Sequence, residues 1–118
     1  MSVQLLEEAP PPISSPPVVE VNTRKLFEVL TACWKNDLNI LGSSNPAAVL
    51  NNVAYRMTID LGATMLPLIF NDYAREDHDW APALSAIVGS NPVKPEHWGR
   101  FKLVREDWLE WGKAHGYL

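Results

Sequence analysis

At 118 residues the chain has room for one domain and one core, since a domain usually takes roughly 100 to 200 residues. An apolar share of 47% beside 20% charged residues excludes the low-hydrophobicity, high-charge regime of disordered chains. The net charge of -4, with 10 Lys and Arg scattered along the sequence, excludes the clustered cationic surface that sequence-independent nucleic-acid binding needs.

The chain opens Met1-Ser2-Val3-Gln4-Leu5-Leu6-Glu7-Glu8, without the basic and apolar regions of a signal peptide. No apolar run approaches the roughly 18 residues of a membrane span. A single cysteine, Cys33, allows no intramolecular disulfide, so a reducing, cytoplasmic setting with no membrane partner is expected.

Residues 1–21 differ in kind from the rest. Pro10, Pro11, Pro12, Pro16 and Pro17 each remove a backbone donor and fix φ near the polyproline II value. The expectation is an extended or disordered arm, with Pro11 and Pro12 as candidate partner-binding residues and Val18, Val19 and Val21 pinning its end. No PxxP spacing occurs in it, which speaks against an SH3-type ligand.

From Asn22 the pattern turns helical, and residues 22–118 read as a single domain. Leu26, Val29, Leu30, Cys33 and Trp34 recur at three and four, with Asn22 or Thr23 as N-cap. That face is expected to be buried, Cys33 included, and a thiol there would be inert. The helix should end within Asn36–Asn39, followed by a Gly42-Ser43-Ser44 loop. Asn45-Pro46 reads as N-cap and first helical residue of a second helix that buries Leu50, Ala54, Met57 and Leu61 and stops at Gly62.

Thr64 is expected to cap a third helix with Pro67 in its first turn and Leu66, Ile69, Phe70 and Tyr73 inward. Asp79 caps a fourth that carries Trp80, Leu84, Ile87 and Val88 and ends at Gly89. Ser90-Asn91-Pro92-Val93-Lys94-Pro95 is an irregular connection, because its two prolines disfavour αR in the residues before them. A last helix starts near Glu96 or Gly99, repeats Phe101, Val104, Trp108 and Trp111 at three, four and three, and stops at Gly116. No period-two stretch of useful length occurs. The fold class is therefore all-α, a compact bundle of about five helices.

The chemistry-bearing residues form no recognised constellation. Asp72, Glu76, Asp77, His78 and Asp79 are dense in oxygen donors, but their spacing matches neither an EF-hand nor HExxH, and a solvated loop with a helix cap is expected. His78, His97 and His115 are too dispersed for a ligand set. No phosphate loop, nucleophile elbow or CxxC pair is present, so no catalytic residue, cofactor or metal is assigned.

Tryptophan and glycine interleave through the second half of the chain. Trp80, Trp98, Trp108 and Trp111 alternate with Gly62, Gly89, Gly99, Gly112 and Gly116. Trp108 and Trp111 share a stripe with Phe101 and Val104, which favours packing, yet Trp is also enriched at interface hot spots. Trp98, outside the stripe, is expected to be the most exposed. Trp98, Trp108 and Trp111 join Pro11 and Pro12 as candidate partner-binding residues.

The pieces Leu61-Gly62, Pro67-Leu68-Ile69, Trp80, Ala83-Leu84, Gly89, Asn91-Pro92-Val93, Gly99, Trp108-Leu109-Glu110-Trp111-Gly112 and Gly116-Tyr117 together resemble a group of small bacterial proteins that end in W-x-x-W-G-x-x-x-G-Y. The L-G-x-x-x-x-P-L-I and A-L-x-x-x-x-G pieces are also similar to the paired helices of HEAT-type repeats, though no 40 to 47 residue unit recurs along the chain. Neither resemblance implies an activity. The expected function is a small non-enzymatic interaction module, an accessory or regulatory partner of another bacterial protein, with an antitoxin or immunity role as one form. The alternatives are a homodimer or larger self-assembly, and a metal-dependent or small-molecule enzyme with a site near His78, Asp79 and His97.

Overall fold

A computed structural model describes residues 15–43, 45–76 and 78–118. Among them there are only helices and connections, and no strand. The elements are α1 (Ser15–Lys35), the single turn α2 (Leu38–Leu41), α3 (Val53–Leu61), α4 (Leu66–Arg75), α5 (Ala81–Val88) and α6 (Phe101–Ala114), with short 3-10 turns at Pro46–Asn51, Gly62–Met65 and Pro95–His97. Five of these helices have eight residues or more.

Helix α1 starts at Ser15, ahead of the expected cap at Asn22 or Thr23, and so takes in the last residues of the proline-rich stretch. Pro16 and Pro17 fall in its first turn, where their missing N–H groups have no intrahelical acceptor to lose. Pro11 and Pro12 lie outside the described residues. The inward face of α1 is Phe27, Leu30, Thr31 and Trp34; Leu26, Val29 and Cys33 are exposed, contrary to expectation. The two stripes lie side by side on the helix, and the one bearing the aromatics faces the core.

Helices α1 and α3 pack together through a polar corner. The Asp37 carboxylate accepts from Asn39 N at 2.8 Å to cap α2 and from Asn52 Nδ2 at 2.8 Å, while Asn52 Oδ1 accepts from Tyr55 N at 3.0 Å to cap α3. The expected second helix is thus split: a 3-10 turn opens at Pro46, where the helix was expected to begin, and the α-helix follows at Val53 with Asn52 as its cap. Its buried residues are Ala54, Tyr55 and Thr58, whereas Met57 and Leu61, like Leu50 in the preceding turn, are exposed.

Thr64 does not cap α4; its hydroxyl donates to Leu61 O, and a 3-10 turn leads straight into Leu66. The run Val53–Arg75, 23 residues at a mean hydropathy of 1.2, is long and apolar enough to cross a membrane by length and composition, contrary to the expectation that no run reaches that length. Here Gly62, at φ 73°, interrupts it, and one face of its second half, Leu66, Ile69, Phe70, Asp72 and Tyr73, is buried. Leu66, Ile69, Phe70 and Tyr73 are all buried, as the spacing predicts.

The core is aromatic. Trp34 meets Tyr55 and Trp80 edge-on at 5.0 and 4.9 Å, and Trp80 stacks between Phe27 and Tyr55 at 5.6 Å from each. Edge-to-face and offset pairs of this kind add about 0.5 to 1.5 kcal/mol each beyond area burial. Asp72, expected in a solvated loop, is buried on α4. Its Oδ2 pairs with Lys35 Nζ of α1 at 2.7 Å and accepts from Trp80 Nε1 at 2.8 Å.

Helix α6 closes the fold against α4. Gly112 lets the two helices approach, since a Cβ there would sit 2.7 Å from the Phe70 ring. Arg105 Nε donates to Tyr73 O at 2.8 Å and Nη2 to Ala74 O at 3.1 Å, satisfying carbonyls at the C-terminal end of α4.

Candidate functional site

The groove at the foot of α6 is built from the irregular connection that precedes it. Two prolines remove donors from this segment, and side chains stabilise it instead: Asn91 Oδ1 accepts from Val93 N at 3.1 Å, and Asp107 Oδ2 accepts from Lys94 N at 3.0 Å and lies 2.7 Å from His97 Nδ1. Burial pushes the Asp107 carboxyl up, but the His97 and Lys94 hydrogen bonds outweigh it and hold the group below the usual carboxylate range. The turn closes with His97 N to Lys94 O at 2.8 Å, and Gly99, at φ 81°, redirects the chain into α6. Trp98 stands on this anchored turn, 63% exposed.

Opposite it is the start of α5. Tyr55 OH donates to Asp79 O at 3.1 Å and accepts from Ala83 N at 2.9 Å, fixing the backbone on either side of Trp80. Asp79 Oδ1 accepts from Ala81 N at 3.1 Å, but α5 starts at Ala81 with Trp80 in the cap position and no side-chain cap, so Asp79 stands one residue ahead of the cap expected of it. Burial pushes the Asp79 carboxyl up, and the Ala81 N–H offsets this only in part. Between the two walls lies a cavity of about 310 Å³ in which Asp79, Trp98, Phe101 and the buried Trp108 take part. Among the described residues lining it, Asp79 alone is charged.

A second surface is apolar and lies on α1 and α3. Leu26, Val29 and Cys33 follow one another at three and four along α1, and Val53, Met57 and Leu61 at four along α3. Cys33, Val53 and Met57 line one shallow groove with Leu30 and Ala54, which joins the two stripes. Val29 is 60% exposed, Val53 69% and Met57 47%.

The candidate tryptophans separate cleanly. Trp98 is exposed as expected. Trp108, 1% exposed, is a core residue, and its indole has no outer edge to offer a partner. Trp111 is half-buried, stacked with Phe70, Tyr117 and, at 3.8 Å, the His115 ring. His78, Asp79 and His97 are not brought together. His78 sets its ring edge-on to Trp34 at 5.9 Å, Asp79 faces the cavity described above, and His97 turns to Asp107. Each lines a different groove. Among the described residues no group of three metal-ligating side chains forms.

Two features went unread in the sequence. Asp107, a carboxylate directly before Trp108, signals a polar anchor set into an apolar stripe. The exposed α1–α3 face has no such signal, because its residues are the same types that fill the core. No family model, curated protein or solved structure matches the chain.

Proposed function

We propose that the chain is a non-enzymatic interaction module that works as an accessory or regulatory partner of another protein in a reducing, cytoplasmic setting, an antitoxin-like or immunity-like role being one form of it. The observation that carries this reading is the α1–α3 face, where Leu26, Val29, Val53, Met57 and Leu61 stand exposed on adjoining helices. Exposed apolar side chains gathered on adjoining helices cost solubility and mark interfaces. The exposed thiol of Cys33 within that face fits a compartment that keeps it reduced.

A second reading, self-association, is favoured by one feature. Cys33 lies in the groove that joins the α1 and α3 stripes, so an isologous pair meeting on this face would bring the same patch of each copy together. Sedimentation and affinity capture with the full chain and its Met57→Glu variant separate the two. Met57 is exposed, so the charge does not disturb the core. Capture of a specific protein by the native chain and not by the variant supports the partner reading. A dimer that the variant dissociates supports the second, and identical monomers with identical captures sink both.

A further inference from the structure

We propose that the groove between Trp98, Phe101 and Asp79 binds an alkylated ammonium group, with the Asp79 carboxylate as its counter-ion. The groove is distinct from the α1–α3 face, so this stands or falls apart from the interaction reading.

Three observations lead to this ligand chemistry. The first is charge: among the described residues Asp79 alone of those lining the cavity is charged, and no cation forms an ion pair with it. One oxygen is held by Ala81 N, which fixes the carboxylate in place. A partly desolvated carboxylate without a counter-ion repels anions and attracts cations strongly.

The second is the wall. Trp98 is the most exposed aromatic of the chain that the structure describes, Phe101 is partly exposed beside it, and Trp108 is buried behind them. Aromatic faces attract cations through the ring quadrupole, and most effectively those that shed their water easily. Quaternary and other alkylated ammonium groups meet that condition, since their methyls contact the rings while the charge stays close to the carboxylate. A metal ion does not fit, because hard cations want six or more oxygen ligands and the other polar side chains lining the groove are Ser85 and Asn91.

The third is size and rigidity. About 310 Å³ is at the small end of ligand sites and suits a headgroup or one side chain rather than a folded peptide. Both walls are fixed before anything binds, one by the Asp107 anchor of the Trp98 turn and the other by the Tyr55 hydrogen bonds to Asp79 and Ala83. Preorganisation of this kind reduces the entropy lost on binding.

The same chemistry is carried by a small free amine and by a methylated lysine side chain on a protein. The test is a titration of the nitrogen-labelled full chain, read by NMR at the Trp98 indole N–H, with choline and with its neutral carbon isostere dimethylbutanol. The expected result is saturable binding of choline, at least about tenfold tighter than the isostere. Asp79→Asn keeps the oxygen that accepts from Ala81 N and removes the charge; it should weaken choline about tenfold while leaving the isostere unchanged.

Choline affinity should also fall as pH drops through the raised Asp79 pKa. Tyr55 of α3 and Tyr73 of α4 are the titratable groups that feel Asp79, and burial pushes both up, so they stay neutral throughout and the loss follows one group. Trp98→Ala, followed at the backbone amides of Gly99 and Phe101 because it lacks the reporter indole, should abolish binding with the helical spectrum unchanged, and Met57→Glu should bind as the native chain does. A trimethyllysine peptide then identifies the source: tighter binding than choline assigns a protein side chain, weaker binding a small amine. Equal affinity for choline and dimethylbutanol, full affinity in Asp79→Asn, or no saturable shift with choline each overturns the proposal.

Discussion

Gly112 is the residue on which the α4–α6 contact depends. A methyl group there would meet Phe70 Cδ1 and Cε1 at 2.7 Å, well inside van der Waals contact. The ring has nowhere to go, since Phe70 is fully buried and stacked on Trp111 at 5.8 Å and Tyr117 at 5.3 Å. Overpacking of this type costs about 1 to 3 kcal/mol, while the better helix propensity of alanine returns at most about 1. Gly112→Ala should therefore lower the thermal midpoint by several degrees, and a scanning calorimetry trace at or above the native midpoint would refute the close approach. The C-terminal W-x-x-W-G-x-x-x-G-Y run gains a physical reading from the same contacts. Trp108 fills the core, Trp111 and Tyr117 pack with Phe70 in a group of three nearly parallel rings, and Gly112 admits the Phe70 ring. Gly116, at φ 84°, lets Tyr117 N reach Gly112 O at 2.8 Å in the bond that closes the helix end.

At the scale of elements, the turn before α6 is held by one side chain from the helix it precedes. Asp107 accepts from Lys94 N and from the His97 ring, and without it a segment with two prolines has few hydrogen bonds of its own. Because its pKa is depressed, the stability it contributes is present above the ordinary carboxylate range and is lost as pH falls through the folded-state value. Asp107→Asn should loosen residues 94–99 while α6 stays helical. Faster amide exchange at Lys94 and His97 with unchanged exchange at Trp108 is the expected pattern, and uniform exchange across both would contradict it.

What the sequence made legible follows element by element. The stripe of α4 was readable because that helix has a single apolar face, so Ile69, Phe70 and Tyr73 had only one way to point; α5 is apolar nearly all round, and Trp80 and Leu84 are buried because this segment packs on α3 and α6. In α1 and α3 two apolar stripes adjoin, and periodicity cannot say which faces inward. The α1 stripe that wins, Phe27, Leu30 and Trp34, has the larger aromatic area, and with it the larger return on burial. For the groove, Trp98 was legible because it fell outside any stripe. The pairing of Trp98 with Asp79 was not, since it depends on how α5 packs beside the start of α6.

The whole molecule is joined at Asp72. This one carboxylate on α4 binds Lys35 of α1 at 2.7 Å and receives the Trp80 indole N–H, just ahead of α5, at 2.8 Å, so three segments meet at one oxygen. The pair is largely dehydrated, with side-chain exposures of 13% for Lys35 and 7% for Asp72. Removing one partner of such a pair costs more than the pair contributes, because the other is left without its match. Lys35 retains Glu76 at 3.0 Å, which limits its share of the loss, but the fully buried Trp80 Nε1 loses the acceptor that the structure gives it. Asp72→Ala should therefore cost about 3 to 5 kcal/mol, and Asp72→Asn, which keeps an acceptor for the indole while losing the charge, distinctly less. Since the three segments share one core, the loss should be global: urea transitions followed by tryptophan fluorescence and by far-ultraviolet dichroism should shift together in Asp72→Ala. If the fluorescence transition moves while the dichroism transition stays, the junction is local and the helices fold without it.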